Sequence, residues 1–354
     1  MSIDAAINET FGPIADTAAG IVFYSVPFLG QDVKLILIWL VAAALFFTFY
    51  LGFVNFRYFL SSFRLVFDKS ITGSGDGQLS SFQALMASLS GTVGLGNIAG
   101  VAVAVTVGGP GATIWMIIMG FFSMSTKFGE VVLGIKYRHH YDKDNPDEIS
   151  GGPMYYLRDG FYNKKMPMLG TIMAGLFAIC CIGGAIGGGN MFQANQAYQQ
   201  LINVTGGEIS WWADKAWLFG IMLSFLVGVV IIGGIRSIGN VAATLVPAMG
   251  GIYVLAGVVV IAMFYQNIPG AVVTIFDSAF SLEAGIGGLL GGLLVGVQRA
   301  VFSNESGLGS AAIVHSAVKT EHPVAQGIVG MQGPFIDTIL ICTITALVIV
   351  TTGA

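Results

Sequence analysis

Two stretches of this sequence set glycine beside hydroxyl, amide and carboxyl groups inside otherwise apolar runs. The first is Ser90-Gly91-Thr92-Val93-Gly94-Leu95-Gly96-Asn97-Ile98-Ala99-Gly100. The second is Phe302-Ser303-Asn304-Glu305-Ser306-Gly307-Leu308-Gly309-Ser310-Ala311-Ala312. Glycine is poor helix interior, so each stretch predicts a break in a helix. They share a Gly-Leu-Gly-(Asn/Ser)-x-Ala pattern. Backbone groups freed at a break inside a bilayer must find partners. Half-helix N-termini offer N–H groups to an anionic carboxylate, and unwound carbonyls offer oxygen to a cation such as Na⁺. A zwitterionic amino acid carried with Na⁺ suits both ends. Close packing through small residues is the competing reading for Gly96, Gly100 and the glycines of 183–189. It does not ask for Asn304, Glu305 and Ser306 in a row at membrane depth. Gly94-Leu95-Gly96 also mimics a dinucleotide loop, but no strand precedes it.

Ionisable and amide residues within apolar runs are functional candidates by default. Lys127 and Glu130 stand at i, i+3 and predict a structural ion pair. Glu305 can orient the unwound segment, sit in the cation's field or carry a proton. Arg299 lies six residues earlier, where a break could bring the two together. Asp337 fits helix pairing and a cation path equally. Asn190 and Gln193, at i, i+3, predict a shared polar face. His139 and His140 read as solvated loop residues. His315 has no evident acidic partner, which argues against an intramembrane hydrolase. Cys180, Cys181 and Cys342 read as small buried hydrophobes.

The surrounding composition dictates the kind of scaffold. Of 354 residues 55% are hydrophobic and 10% charged, the net charge is −4, and 50 are glycine. Mean hydropathy is +0.80. A soluble domain carries about 25% charged residues. Disorder is excluded by the apolar content and a nucleic-acid partner by the scarcity of positive charge. An all-α membrane protein remains. Eight membrane-spanning segments are predicted, at 35–56, 80–107, 112–134, 169–203, 216–235, 239–265, 286–317 and 324–350. Residues 1–33 lack the basic start of a secretory signal and predict a short interfacial helix or loop. Arg57, Arg64, Lys69, Lys136, Arg138, Lys143, Arg158, Lys164, Lys165, Arg236 and Lys319 fall in one set of loops. The other set holds Lys34 and Lys215, so the first set is expected to be cytoplasmic, with both chain ends outside. The two broken spans then run in opposite directions, the mark of an inverted-repeat transporter.

These residues resemble the alanine or glycine:cation symporter family. The likeness rests on both broken stretches, on Ser81-Phe82-Gln83-Ala84-Leu85 and on Gly108-Gly109-Pro110-Gly111-Ala112. It extends to Ser150-Gly151-Gly152-Pro153-Met154-Tyr155-Tyr156, Gly188-Gly189-Asn190-Met191-Phe192-Gln193-Ala194-Asn195, residues 323–327 and Phe335-Ile336-Asp337-Thr338. It covers nearly the whole chain from about residue 28. The resemblance implies a LeuT-type inverted-repeat fold with an extra N-terminal helix. It divides the chain into an outer or interfacial segment (1–34), the extra helix and a loop (35–79), and a first five-helix repeat (80–265). An outside loop helix (266–285) and the start of a second repeat (286–354) follow, the last three helices being absent. It implies Na⁺-coupled import of alanine or glycine across a bacterial or archaeal cell membrane, no enzyme activity, and no cofactor beyond Na⁺ as coupling ion. By motif match, Gly91, Thr92, Val93, Gly94 and Gly96 hold the substrate, faced by Ser303, Asn304 and Ser306. Asn190, Phe192 and Gln193 line the pocket. Gly91, Gly94, Asn97 and Glu305 serve ion coupling, with Na⁺ on the backbone near Gly91 and Gly94. Proton coupling through Glu305 and a non-transporting scaffold or receptor are the alternatives.

Overall fold

The computed structural model describes residues 3–28, 31–68, 75–140, 148–280 and 285–354, and of 3–8, 10, 14 and 285–289 the backbone alone. The chain opens with α1 (Ile3–Val22) and a hairpin of β1 (Ser25–Phe28) and β2 (Gln31–Lys34). α2 (Leu35–Tyr50) follows, apolar on every side, as a helix with no aqueous face is. Two short helices, α3 (Val54–Arg57) and α4 (Phe59–Phe67), lead to the first predicted broken span.

That span is two helices, α5 (Ser81–Thr92) and α6 (Ala99–Gly108). A capping box starts α5. Ser80 Oγ accepts from the Gln83 N–H at 3.2 Å, and Gln83 Oε1 accepts from the Ser80 N–H at 2.8 Å. After a Gly109-Pro110-Gly111 turn, α7 (Ala112–Lys136) runs unbroken. A short ladder of β3 (His139–His140) and β4 (Ile149–Ser150) precedes α8 (Pro153–Asn163). α8 and α9 (Pro167–Val204) both start on a proline, which fits the first helical turn because its missing N–H has no helical partner there. α9 contains a π-helical turn, Ala185–Met191. α10 (Ala216–Ile231), α11 (Gly234–Met263) and α12 (Ile268–Phe280) follow. The second predicted broken span is again two helices, α13 (Gly285–Asn304) and α14 (Ser310–Ser316). α15 (Pro323–Thr352) carries a second π-helical stretch, Phe335–Cys342.

α7, α9, α11 and α15 are long and apolar enough to cross a membrane by length and composition. Their side chains sort accordingly. Ile179 and Ile182 on α9 and Ile252 and Leu255 on α11 are exposed. Val101, Ala104, Met116, Met119, Ala300, Val301, Cys342 and Ala346 form a buried cluster between α6, α7, α13 and α15. The glycines of 183–189, expected to permit close helix packing, meet no side chain among the described residues. Gly187, Gly188 and Gly189 lie in the π-helical turn instead.

Each end of the bundle is tied by its loops. At one end the segment before α5 pairs with the segment after α14. Leu79 forms a parallel bridge with Val318, and the Lys319 N–H donates to the Leu79 carbonyl at 2.9 Å. The Arg138 guanidinium donates there to the carbonyls of Asp76, Ser316, Val318 and Thr320, at 2.8–3.2 Å. At the other end the turn after α6 meets α12, where the Gly111 N–H donates to Ser278 Oγ at 3.1 Å. α5 therefore begins where α14 ends, and the two broken spans run in opposite directions.

Candidate functional site

The first break occupies residues 93–98. Helical bonding stops after the Val93 N–H reaches the Leu89 carbonyl at 2.8 Å. Side-chain amides take over the freed N–H groups. Asn97 Oδ1 accepts from Gly94 at 2.8 Å, and Gln193 Oε1 from α9 accepts from Leu95 at 3.3 Å. The Gly94 carbonyl accepts from the Asn97 N–H at 3.1 Å. Gly91 is exposed, and a Cβ placed on it would meet open space. Thr92 and Val93 are half-buried, with the Thr92 hydroxyl on the Leu89 carbonyl at 3.4 Å.

The second break occupies residues 305–309. Glu305 ends α13 in the left-handed region, φ +52°, where the usual residue is glycine. The chain re-enters helix at Gly309, φ +81°. Ser310 Oγ donates to Glu305 Oε2 at 2.6 Å, so this carboxylate spans the break. Among the described residues it makes no ion pair with Arg299, and the break does not bring those two together. The buried pair on α7 reaches across as well. Glu130 Oε1 accepts from the Gly307 and Gly309 N–H groups at 2.6 and 3.0 Å, and Lys127 Nζ donates to the Glu305 carbonyl at 3.2 Å.

The two breaks touch. A Cβ on Gly96 would come within 3.0 Å of Ser303 Cα. With its Oδ1 on Gly94, Asn97 must turn its NH₂ the other way. Four acceptors lie there: Asp337 Oδ1 at 2.8 Å, the Asp337 carbonyl at 3.0 Å, Ser303 Oγ at 3.1 Å and Cys342 Sγ at 3.3 Å. Two hydrogens cannot serve four acceptors, so the cluster is rich in lone pairs. On its other side Asp337 Oδ2 accepts from Thr338 Oγ1 at 2.8 Å. Thr338 accepts from Asn304 Nδ2 at 3.0 Å, and Asn304 Oδ1 accepts from the Ser306 N–H at 2.9 Å. An unbroken chain of hydrogen bonds thus joins the two breaks, and every donor in it points toward Asp337. Asp337 is 0% exposed and pairs with no cation among the described residues. A buried unpaired carboxylate is costly unless a proton or cation joins it.

Gln193 alone of the three α9 candidates touches the break. Asn190 and Phe192 are exposed. The π-helical turn, which closes i→i+5, ends immediately before Phe192 and shifts the phase that i, i+3 spacing assumes. His315 is buried with Nδ1 against Gln326 Nε2 at 2.7 Å, a packing partner rather than a catalytic acid. His139 and His140 lie at the loop end against Asp159 and Asp76. No cluster of three or more His, Cys, Asp or Glu side chains able to hold a metal occurs among the described residues.

The family model described as "Sodium:alanine symporter family" matches residues 22–354. The chain belongs to this family. Family membership places it among membrane symporters rather than enzymes. It is similar to the sodium/alanine symporter AgcS of Methanococcus maripaludis, 43% identical over 318 residues, covering 90% of this chain and 67% of that protein. An uncharacterized transporter of Haemophilus influenzae is 38% identical over 330 residues, 90% of this chain and 67% of its own. The amino-acid carrier protein AlsT of Bacillus subtilis is 35% identical over 313 residues, 88% of this chain and 62% of its own. The chain spans about two thirds of the length of these relatives.

Proposed function

We propose that the protein carries a small neutral amino acid, alanine or glycine, into the cell together with Na⁺ by alternating access. In this reading the spans form a LeuT-type inverted repeat of which 80–265 is the first half and 286–354 begins the second. The observation that carries it is the chain of hydrogen bonds converging on Asp337 from two oppositely running breaks. The lone pairs of Asp337, Ser303 and the first-break backbone suit a small hard cation. The N–H groups of Gly94 and Leu95 suit the substrate carboxylate.

Those N–H groups donate to the side-chain oxygens of Asn97 and Gln193. Substrate binding is then an exchange, in which the carboxylate replaces Gln193 Oε1 on Leu95. Gln193 is free to turn its NH₂ toward the incoming charge. The exchange links substrate arrival to α9. The small residues at the breaks, among them Gly91, Thr92, Gly94 and Ser303, favour alanine and glycine over bulky or dicarboxylic substrates.

Uptake of radiolabelled alanine and glycine by the full-length protein in liposomes tests this. An inward Na⁺ gradient is expected to drive both, excess leucine or glutamate to compete weakly, and replacement of Na⁺ by K⁺ to abolish accumulation. Uptake that follows a pH gradient and ignores Na⁺ moves the coupling to a proton. Binding without counterflow makes the protein a receptor or scaffold.

A further inference from the structure

We propose that Lys127 and Glu130 are positioning residues for the substrate site: the buried pair on α7 sets the backbone of the second break. The proposal rests on reading the breaks as that site.

The geometry separates this role from a simple ion pair. Lys127 and Glu130 are 2% and 8% exposed and stand 3.6 Å apart. Glu130 Oε1 lies closer to the break than Glu130 lies to its lysine, at 2.6 Å from the Gly307 nitrogen and 3.0 Å from Gly309. Lys127 in turn donates to the Glu305 carbonyl. The carboxylate thus takes N–H groups on one side of the break and the ammonium takes a carbonyl on the other. Freed groups of both signs are satisfied by one pair. Glu305 adds an independent sign. A non-glycine residue held left-handed persists where its surroundings determine it. Lys127 holds its carbonyl and Ser310 its carboxylate. The first break is held differently, by the neutral amides of Asn97 and Gln193.

Two double variants of the full-length protein separate acceptor from charge. Both remove the buried charges together, so neither leaves one unpaired. Lys127→Met/Glu130→Gln keeps an oxygen for Gly307 and Gly309; Lys127→Met/Glu130→Leu does not. Alanine affinity, thermal midpoint and amide hydrogen exchange at Gly307 and Gly309 are read for each. The Gln variant gives up only the Lys127 contact with the Glu305 carbonyl; it is expected to bind alanine threefold to fivefold more weakly, with exchange at Gly307 and Gly309 within threefold of the unaltered protein. The Leu variant is expected to bind alanine at least tenfold more weakly and to exchange at least tenfold faster, with a lower thermal midpoint because the buried Gly309 N–H loses its acceptor. A folded Leu variant with unaltered affinity and exchange overturns the proposal. If the Leu variant does not fold, Glu130→Asp decides, since it keeps the charge and withdraws the oxygen by one methylene. At least fivefold weaker affinity supports positioning, and unaltered affinity overturns it. Should the unaltered protein bind no alanine, the transport reading fails, while exchange at Gly307 and Gly309 still decides whether Glu130 holds the break.

Discussion

Asn97 and Asp337 stand 240 residues apart in sequence and meet at 2.8 Å, Asn97 Nδ2 donating to Asp337 Oδ1 inside the bundle. The same Asn97 caps the Gly94 N–H with its oxygen. One side chain therefore shapes the first break and binds it to α15.

Asn97→Ala is expected to strip the cap from Gly94 and a donor from a buried carboxylate. A half-buried N–H then loses its acceptor and a buried carboxylate loses one of its donors, a loss of about 2–3 kcal/mol. A lower thermal midpoint in detergent and weakened alanine binding are the expected results. Unaltered values for both remove Asn97 from the account.

Two glycines of the first broken span predict opposite outcomes. Gly96→Ala places a methyl within 3.0 Å of the Ser303 backbone, so the breaks must part. Its thermal midpoint should fall and transport drop at least tenfold. Gly91→Ala meets open space on the last turn of α5. It should fold at least as stably, because alanine favours helix over glycine by about 0.5–1 kcal/mol. Equal melting of the two variants contradicts the close approach.

Arg138 joins three segments by donating to four carbonyls, and a guanidinium fork serves that arrangement better than an ammonium. Arg138→Lys should lower the thermal midpoint, and Arg138→Ala should cost about 2–4 kcal/mol, as for lost charge-assisted bonds. Proteolysis between α4 and α5 should rise in step. Resistance equal to that of the unaltered protein excludes the clasp.

Asp159, on α8 at the same end, gives a pH dependence. Its hydrogen bond from Arg158, assisted by His139, holds the carboxyl below the usual range against a smaller opposing effect of burial. Around pH 4 the unfolded chain binds the more protons there. The stabilisation is present above that pH and is lost as pH falls through the folded value. Asp159→Asn should flatten the acid limb of the melting curve below about pH 4. An unchanged acid limb contradicts the linkage.

Much of this site is readable from residue order. Glycine and polar side chains inside apolar runs marked residues 93–98 and 305–309, because local chemistry alone makes those turns poor helix. The i, i+3 spacing exposed the Lys127–Glu130 pair for the same reason. Its grip on Gly307, across 177 residues, depends on α7 lying beside α13 and α14, which no local pattern encodes. Asp337 stood out only as an acid at membrane depth. Its place at the centre of the hydrogen bonds needed the crossing of α5, α13 and α15. Asn190 shows the reverse case, since the i, i+3 spacing that pairs it with Gln193 crosses a π-helical turn, which changes the period.

The most direct measurement is Na⁺ titration of alanine uptake by the full-length protein and by Asp337→Asn. The substitution keeps the shape of the side chain and removes its charge. The account predicts Na⁺-dependent accumulation in the unaltered protein. It predicts a variant that folds as well and needs at least tenfold more Na⁺ for half-maximal uptake. Uptake indifferent to Na⁺, or a folded variant with an unaltered Na⁺ requirement, contradicts it.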